Sequence, residues 1–376
     1  GPTAIKRRGP QRLRASIRVV IVACVTARYA LLHEIPGQAR ARLRLHGPDT
    51  RRFLQGTLTA DVDGLESDRA VVAALCTVKG KLVSELVLVP GASHDEVHAL
   101  VPADQAASLA EHFDRHIIMD QVQVESLGPV GVALLWESDG TDPAPPDPTT
   151  GVESWLTRHP APGRLCVAEP DALARALANH TTVEARVDAA GFGVRRVATA
   201  SPAWGHELRE GFFPPEVGFV YAVSYDKGCF LGQEPLARIH ARGQVNRVMV
   251  RVRADRAPAA EVDLADDERP DAGRWTSWAP MSTGGVEGLA IVRRTAAVPG
   301  QLLRATEGDA SLEVEVLSGP LGDDPGVGRA RAATVKLGGR GPRPKPKRSA
   351  VFARGRRPPK VVTVGVPCGG LKPRSA

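Results

Sequence analysis

Apolar residues recur along this chain at two different periods, and each period predicts one type of secondary structure. Residues 103–116 and 171–179 place apolar side chains at helical spacing, so both segments are predicted helices. Asp49 is a suitable N-cap for another helix that runs through Leu58. Alternating or continuous apolar runs predict strands over residues 42–45, 82–89, 122–125 and 130–136.

The later part of the chain has a different pattern, in which short alternating segments are separated by glycine and proline. This pattern predicts a small antiparallel β-barrel or sandwich. Its predicted strands are residues 248–253, 289–294, 302–305 and 311–317. Because helices and strands do not alternate strictly before residue 244, the pattern argues against a doubly wound parallel sheet and predicts an α+β fold.

Basic residues are concentrated at the two ends of the chain. Residues 1–30 hold seven Lys or Arg and residues 336–376 hold twelve, with no acidic residue in either segment. The whole chain carries a formal charge of +7, but residues 31–335 carry −12. An acidic body repels phosphate, which argues against a nucleic-acid groove there. The basic tail could contact RNA or anionic lipid nonspecifically, although its composition favours a solvated, disordered extension.

The N-terminal segment 17–32 is apolar in patches but includes Arg18 and Arg28. It is too short and too charged to predict a membrane-spanning helix, which needs about 20 apolar residues. We interpret residues 1–34 as a poorly ordered basic lead-in and expect no membrane partner.

Five cysteines stand alone in the sequence, without a C-x-x-C pair, at positions 24, 76, 166, 229 and 368. This spacing argues against a disulfide framework, a zinc site or a cluster held by one chain, and it suits a reducing cytoplasm. His112 and His116 lie four apart on a predicted helix, but without an H-E-x-x-H pattern an exposed helix face explains them better than a zinc pair. We therefore predict no metal site.

The most specific local feature is the octapeptide K-G-C-F-L-G-Q-E, residues 227–234. Pro235 follows it and suits the first turn of a helix, where its missing N–H is not needed. A thiol just before a helix and near Lys227 feels a positive potential, which lowers the pKa of a thiol and favours the thiolate. From the residues alone, Cys229 is equally well explained as a small buried residue at a tight turn.

The octapeptide resembles the K-G-C-[YF]-x-G-Q-E signature of the folate-binding YgfZ-like proteins. That family includes a mitochondrial iron–sulfur assembly factor and is a branch of the aminomethyltransferase superfamily. Two positions depart from its pattern, because Ala60 replaces the usual Asn and Ala200 replaces the usual Gly. The resemblance covers roughly residues 35–318. Segments that resemble the family in the same order are 43–49, 52–62, 78–86, 195–208 and 213–219.

The resemblance implies an aminomethyltransferase-like α+β fold, in which two α+β domains surround a central cavity and a small antiparallel β-barrel follows. It assigns residues 35–243 to the folate-binding region and residues 244–318 to the barrel, in agreement with the strand pattern. Residues 319–376 are then a Gly/Pro/Arg-rich basic tail, which we expect to be disordered.

The resemblance also implies site residues. Glu216 matches the glutamate that faces the pterin in aminomethyltransferases, although a capping or surface glutamate would also suit its Pro-Pro-Glu context. Cys229 would be the reactive thiol, and Lys227 would favour its thiolate. Ser84 and Glu85 stand where the transferases have an aspartate, and the longer Glu disfavours aminomethyl transfer. Further candidates are Glu85, Phe219 and Arg238 for the cofactor, and Gly228, Gly232, Gln233 and Glu234 for the turn.

Three functional hypotheses follow from these observations. The first is a tetrahydrofolate-binding accessory protein for the assembly or repair of iron–sulfur enzymes, including those that modify tRNA, with client enzymes or assembly proteins as partners. The second is a folate-dependent aminomethyl or one-carbon transferase that uses Glu216. The third is a non-catalytic interaction protein that uses its basic tail. The resemblance favours the first, with tetrahydrofolate or another reduced folate as cofactor, and leaves open whether the protein is an enzyme.

Overall fold

The computed structural model describes residues 26–243, 245–307 and 310–322. Within these ranges the chain forms fifteen β-strands and five α-helices. In chain order they are β1 Ala27–Leu31, β2 Arg40–His46, α1 Thr50–Thr57, β3 Val71–Cys76, β4 Leu82–Pro90, β5 Glu96–Pro102, α2 Ala106–His116, β6 Gln123–Glu137, β7 Glu153–Thr157, β8 Gly163–Ala168, α3 Pro170–Ala178, β9 Val183–Arg186, α4 Ala189–Ala198, α5 Gln233–Arg242, β10 Arg247–Ala254, β11 Val262–Ala265, β12 Gly273–Pro280, β13 Val286–Arg293, β14 Leu302–Glu307 and β15 Ala310–Val316.

Nine of the described strands form one sheet. Seven lie in the order β3-β4-β5-β2-β6-β1-β9, and β8 pairs with both β6 and β7. Strand β6 joins the two halves of the sheet, because its first part pairs with β2 and its second part pairs with β1 and β8. Phe53 of α1 and Phe113 of α2 pack on the first half, and Leu173 and Leu177 of α3 pack on the second.

Strands β10-β13-β12-β11-β14-β15 close into an antiparallel barrel. The closing pair is β10 with β15, where Val252 lies opposite Val316. Valine side chains fill the interior around the fully buried Trp275, whose indole N–H donates to the Ser277 carbonyl at 2.8 Å. The predicted α+β class with a C-terminal antiparallel barrel is confirmed.

Near the start of the chain, one prediction needs correction and one is confirmed. The lead-in predicted over residues 1–34 is wrong at its C-terminal end, because β1 lies between β6 and β9 with Tyr29 and Leu31 buried. A strand can hold one charged residue among apolar ones when the charged side chain faces away from the core. Residues 1–25, and the tail from residue 323 onward, lie outside the described ranges. Asp49 is the N-cap residue of α1, as predicted, and its carboxylate accepts from the backbone N–H of Gln121 at 2.8 Å rather than from a helix N–H.

The long connection between α4 and α5, residues 199–232, carries most of the predicted site residues. It contains two 3₁₀ turns, Pro214–Val217 and Val220–Ala222. Its apolar side chains, including Phe219, pack against Leu82 of the sheet and Ile291 of the barrel in one cluster. This connection therefore places the candidate site where sheet and barrel meet. No helix in the described ranges is both long enough and apolar enough to span a membrane.

Candidate functional site

A cavity of about 380 Å³ opens beside the two 3₁₀ turns. Its wall is formed by the end of α4, the β7–β8 connection, the segment after Glu216 and a short stretch that follows the barrel. Gly218 brings the wall close to the barrel. Its φ of 72° favours glycine, and a Cβ atom at this position would overlap the end of the Met249 side chain. The polar side chains that line the cavity are Arg158, Thr199, Ser201, Tyr221 and Tyr225.

A chain of polar side chains leads from the buried sheet to this cavity. Glu85, on β4, is 1% exposed and accepts from the Arg40 guanidinium at 2.5 Å. Its second carboxylate oxygen lies 2.5 Å from Nε2 of the fully buried His159. Nδ1 of His159 lies 3.0 Å from the hydroxyl of Tyr221, which lines the cavity. The chain therefore connects a buried carboxylate to the cavity wall through one imidazole and one phenol.

The environment sets the protonation of both ends of this chain. Burial alone raises the pKa of Glu85, but the charges of the neighbouring His159 and Arg40 lower it overall, so the carboxyl is ionised. Burial raises the pKa of Tyr221 far above its usual range, and the Glu85 charge adds to this effect. The phenol is therefore protonated at neutral pH.

Glu216 is 8% exposed, and one of its carboxylate oxygens accepts from the backbone N–H of Phe213 at 2.9 Å. The same oxygen lies 3.6 Å from Nζ of Lys81, which stands 3.4 Å above the Phe213 ring. Glu216 thus caps the 3₁₀ turn that contains it, as its Pro-Pro-Glu context allows. It is not among the residues that line the cavity.

The other two predicted cofactor contacts lie in different surroundings. Phe219 is fully buried, with its ring edge-on to His159 and Tyr221 at centroid distances of 5.3 and 5.2 Å. Arg238 is exposed on α5 and pairs with Glu234 one turn earlier at 2.9 Å. Phe219 therefore supports the buried chain of polar groups, and Arg238 belongs to a solvated helix face.

Cys229 is exposed in the turn that precedes α5. The backbone N–H of Leu231 donates to the Gly56 carbonyl at 2.9 Å and ties this turn to α1. Gly232 is the N-cap of α5, and a Cβ atom there would lie 2.6 Å from the Thr77 carbonyl oxygen. The octapeptide therefore packs against the turn between β3 and β4.

Lys227 also anchors the turn that holds Cys229. Its Nζ donates to the carbonyl oxygens of Leu58 at 2.8 Å and Ala60 at 2.5 Å. Burial lowers the pKa of Lys227 to about 8, while Asp61 and Asp63 act in the opposite direction. The ammonium is directed at backbone oxygens, and its effect on the Cys229 thiolate stays a prediction.

The three cysteines in the described ranges differ in accessibility. Cys76 and Cys166 are fully buried, and burial raises the pKa of each thiol to about 12, whereas Cys229 is exposed. Among the described residues, no group of three or more His, Cys, Asp or Glu is placed to hold a metal ion. His112 and His116 stack on each other with ring centroids 4.2 Å apart.

Several site residues were not found from the sequence, namely Arg40, Arg158, His159 and Tyr221. They come from three separate segments of the chain, and 45 to 74 residues separate the paired side chains. The sequence offered one signal, which is the rarity of tyrosine. The chain has three tyrosines, and two of them, Tyr221 and Tyr225, line the cavity.

A second buried ion pair joins α4 to the barrel near the cavity. Glu207 is fully buried and accepts from Arg196 of α4 at 2.6 Å. It also accepts from the hydroxyls of Thr276 at 2.6 Å and Ser277 at 2.5 Å on β12. Because every partner is hydrogen-bonded, the pair holds the end of α4 against the barrel.

Comparison with known proteins agrees with this architecture. Among solved structures, the chain is similar to the glycine cleavage system aminomethyltransferase T of Bartonella henselae, with a TM-score of 0.62 and 16% identity over 80% of this chain and 87% of that one. No protein-family model matches the chain. The structural likeness defines the class: the chain has the aminomethyltransferase fold.

Curated sequences narrow that class. The chain is 28% identical over 235 residues to the tRNA-modifying protein YgfZ of Pectobacterium carotovorum, covering 58% of this chain and 70% of that protein. It is 29% identical over 249 residues to the protein of the same name from Yersinia pseudotuberculosis, covering 60% and 72%. The chain is thus similar in sequence to the YgfZ proteins, and the resemblance predicted from the octapeptide is confirmed.

Proposed function

We propose that this protein binds a reduced folate in the cavity and acts as an accessory factor in the assembly or repair of iron–sulfur enzymes, with Cys229 as its reactive thiol. The observation that carries the proposal is the placement of Cys229. It is exposed in a turn fixed by glycine contacts and by Lys227, whereas the other two described cysteines are buried. A thiol held in this way is available to a partner without unfolding of the core.

The cavity residues suit a reduced folate. A flat pterin would pack against the phenol rings of Tyr221 or Tyr225, and an acidic glutamyl tail would suit the Arg158 guanidinium. A volume of about 380 Å³ lies within the usual range of ligand pockets. Glu216 does not line the cavity and caps the turn that ends at the lining residue Gly218, so its predicted role as the carboxylate partner for pterin N–H groups is a separate hypothesis, tested by substitution. A bound reduced folate would supply a one-carbon carrier.

We place the clients among iron–sulfur enzymes that modify tRNA, because the curated relatives are named for tRNA modification. The formal charge of −12 over residues 31–335 favours contact with the client protein over contact with RNA. A reducing cytoplasm suits this role, since an exposed thiol stays reduced there.

The transferase hypothesis is less well supported by the site. Glu85 stands where the transferases have an aspartate, yet Arg40 and His159 occupy both of its oxygens and it does not line the cavity. It therefore acts on a cavity ligand only through other groups. The tail hypothesis concerns residues outside the described ranges.

The proposal is tested by tetrahydrofolate titration of the purified protein and by restoration of tRNA modification in cells that lack the protein. Wild type should bind and restore modification, whereas Cys229→Ser should bind tetrahydrofolate equally well and fail to restore it. Full restoration by Cys229→Ser would remove the thiol from the function. Equal thermal unfolding midpoints of the two proteins serve as the folding control.

A further inference from the structure

The two most exposed large apolar residues of the described ranges are neighbours in sequence. Ile118 and Met119, in the turn between α2 and β6, are 85% and 89% exposed. We propose that they anchor a protein partner on a docking strip, which runs from this pair along Arg52 and Gly56 of α1 to the turn that holds Cys229. The identity of that partner as an iron–sulfur enzyme rests on the proposed function.

Contacts at both ends of α1 make the docking strip continuous. At the start of the helix, the Arg52 guanidinium lies 2.6 Å from the carboxylate of Asp120, which directly follows the apolar pair. At its end, the Gly56 carbonyl accepts from the backbone N–H of Leu231, two residues after Cys229, at 2.9 Å. Arg52 and Gly56 are both exposed and lie four residues apart, so they share one helix face and are about 6 Å apart along the axis.

Gly56 keeps the middle of the docking strip flat. Its φ is not positive, and a Cβ atom there would meet nothing within 4 Å outside its own helix. Glycine inside a helix is destabilising relative to alanine. Packing within the chain therefore gives no reason for glycine at this position, whereas a partner that approaches the helix backbone closely does.

Carboxylates beside the docking strip define the charge of the partner. Gln55 of α1 donates to Asp61 at 2.8 Å and to Asp63 at 3.5 Å, and both aspartates are exposed. The ammonium of Lys227, which these charges influence, donates to backbone carbonyls instead of to either carboxylate. The carboxylates therefore repel phosphate and attract Lys and Arg of a partner.

The partner that fits is a protein with a basic surface and an apolar side chain for Ile118 and Met119. Exposed apolar residues that lie together mark interaction sites, and methionine is enriched in protein interfaces. An enzyme that binds tRNA carries clustered Lys and Arg, because these side chains neutralise phosphates. Such an enzyme matches the docking strip in charge, and its contact would bring it to the exposed Cys229 thiol.

Binding of a purified iron–sulfur enzyme that modifies tRNA, measured by biolayer interferometry, tests the docking strip directly. The double variant Ile118→Ser, Met119→Ser should bind this enzyme about tenfold more weakly than wild type, because the apolar anchor is lost. The matched control replaces two barrel-domain residues that are each 52% exposed, as Val298→Ser, Leu302→Ser, and should bind like wild type. Salt should weaken wild-type binding. Equal affinity of the two double variants would overturn the proposal.

Gly56→Tyr tests the middle of the docking strip without removing a contact inside the protein. Its unfolding midpoint should be no lower than that of wild type, because the position is open and tyrosine is the better helix former. It should nevertheless fail to restore tRNA modification in cells that lack the protein. Ala178→Tyr, which adds the same ring at an exposed position of α3, should restore it. Restoration by Gly56→Tyr would remove α1 from the docking strip.

The outcomes separate the docking strip from the proposed function. If the wild type binds the enzyme but does not restore modification, the proposed function fails, and the comparison of the two double variants still decides the docking strip. If the wild type does not bind the enzyme, the docking strip is overturned. If Ile118→Ser, Met119→Ser instead loses binding to a tRNA transcript and keeps its affinity for the enzyme, the surface contacts RNA and the proposal is wrong.

Discussion

Gly80, in the turn between β3 and β4, and Gly232, at the start of α5, are packed backbone against backbone. A Cβ atom on Gly232 would lie 3.0 Å from the Cα atom of Gly80, and one on Gly80 would lie 3.2 Å from the Gly232 carbonyl oxygen. Both residues have positive φ, 72° and 83°. The contact explains why the turn that holds Cys229 requires glycine at the position before α5.

Gly232→Ala should therefore destabilise the protein by about 1–3 kcal/mol, because alanine is strained at this φ and its methyl group overlaps the Thr77 carbonyl. Urea unfolding measures the change. Gly228→Ala is the matched control in the same octapeptide, since a Cβ atom there meets nothing within 4 Å. Equal destabilisation by the two substitutions would contradict the packing argument.

Lys227 gives the protein a pH dependence of predictable sign. Its pKa is about 8 in the folded protein, below the ordinary lysine value of 10.5, so between these values the unfolded chain binds more protons than the folded one. Stability therefore rises with pH across this window as the cost of burying the ammonium disappears. The unfolding free energy of wild type relative to Lys227→Met should increase between pH 8 and 10.5, measured by urea unfolding at several pH values. A constant difference would show that the lysine is not desolvated.

Local patterns in the sequence predicted a large part of the fold. The strand predicted over 82–89 is β4, Leu82–Pro90, because a continuous apolar run suits a strand buried on both faces. Residues 122–125 and 130–136 were predicted as two strands, yet they form the single strand β6. The Gly-Pro interruption between them is absorbed by a register shift in the pairing with β2. Among the barrel strands, β11 and β12 were not predicted, and in β12 the polar residues Arg274, Thr276 and Ser277 mask the apolar alternation.

The site was predicted only where it is local. The octapeptide predicted that Cys229 precedes a helix, because the effects of glycine, proline and lysine extend only to residues near them in sequence. The group of Arg40, Glu85, His159 and Tyr221 depends on pairing between strands, which a single sequence does not specify. Glu216 was found by resemblance, but its capping bond to Phe213 became visible only in the structure.

Cys229 should be the reactive thiol of the described ranges. The test uses a variant with Cys24→Ser and Cys368→Ser, treated with iodoacetamide at pH 7.5, a value chosen so that ordinary thiols react measurably. In the native state, iodoacetamide should modify Cys229 and leave Cys76 and Cys166 intact. Both buried thiols have a pKa of about 12, so they react only after unfolding. Peptide mass spectrometry identifies the modified residue, and the same reaction in urea is the control. Labelling of Cys166 at the rate of Cys229 under native conditions would contradict the assignment.

Glu216→Ala should weaken tetrahydrofolate binding by about tenfold to a hundredfold, because a charge-assisted hydrogen bond contributes about 1.5–3 kcal/mol. The substitution also removes the cap on Phe213, so a loss of stability of about 1 kcal/mol is expected alongside. Calorimetry measures the affinity and urea unfolding the stability. Arg238→Ala, on the exposed face of α5, is the control and should change neither by much. If Glu216→Ala lowers stability and leaves the affinity unchanged, the carboxylate is a cap alone, and pterin recognition must come from the cavity residues around Tyr221.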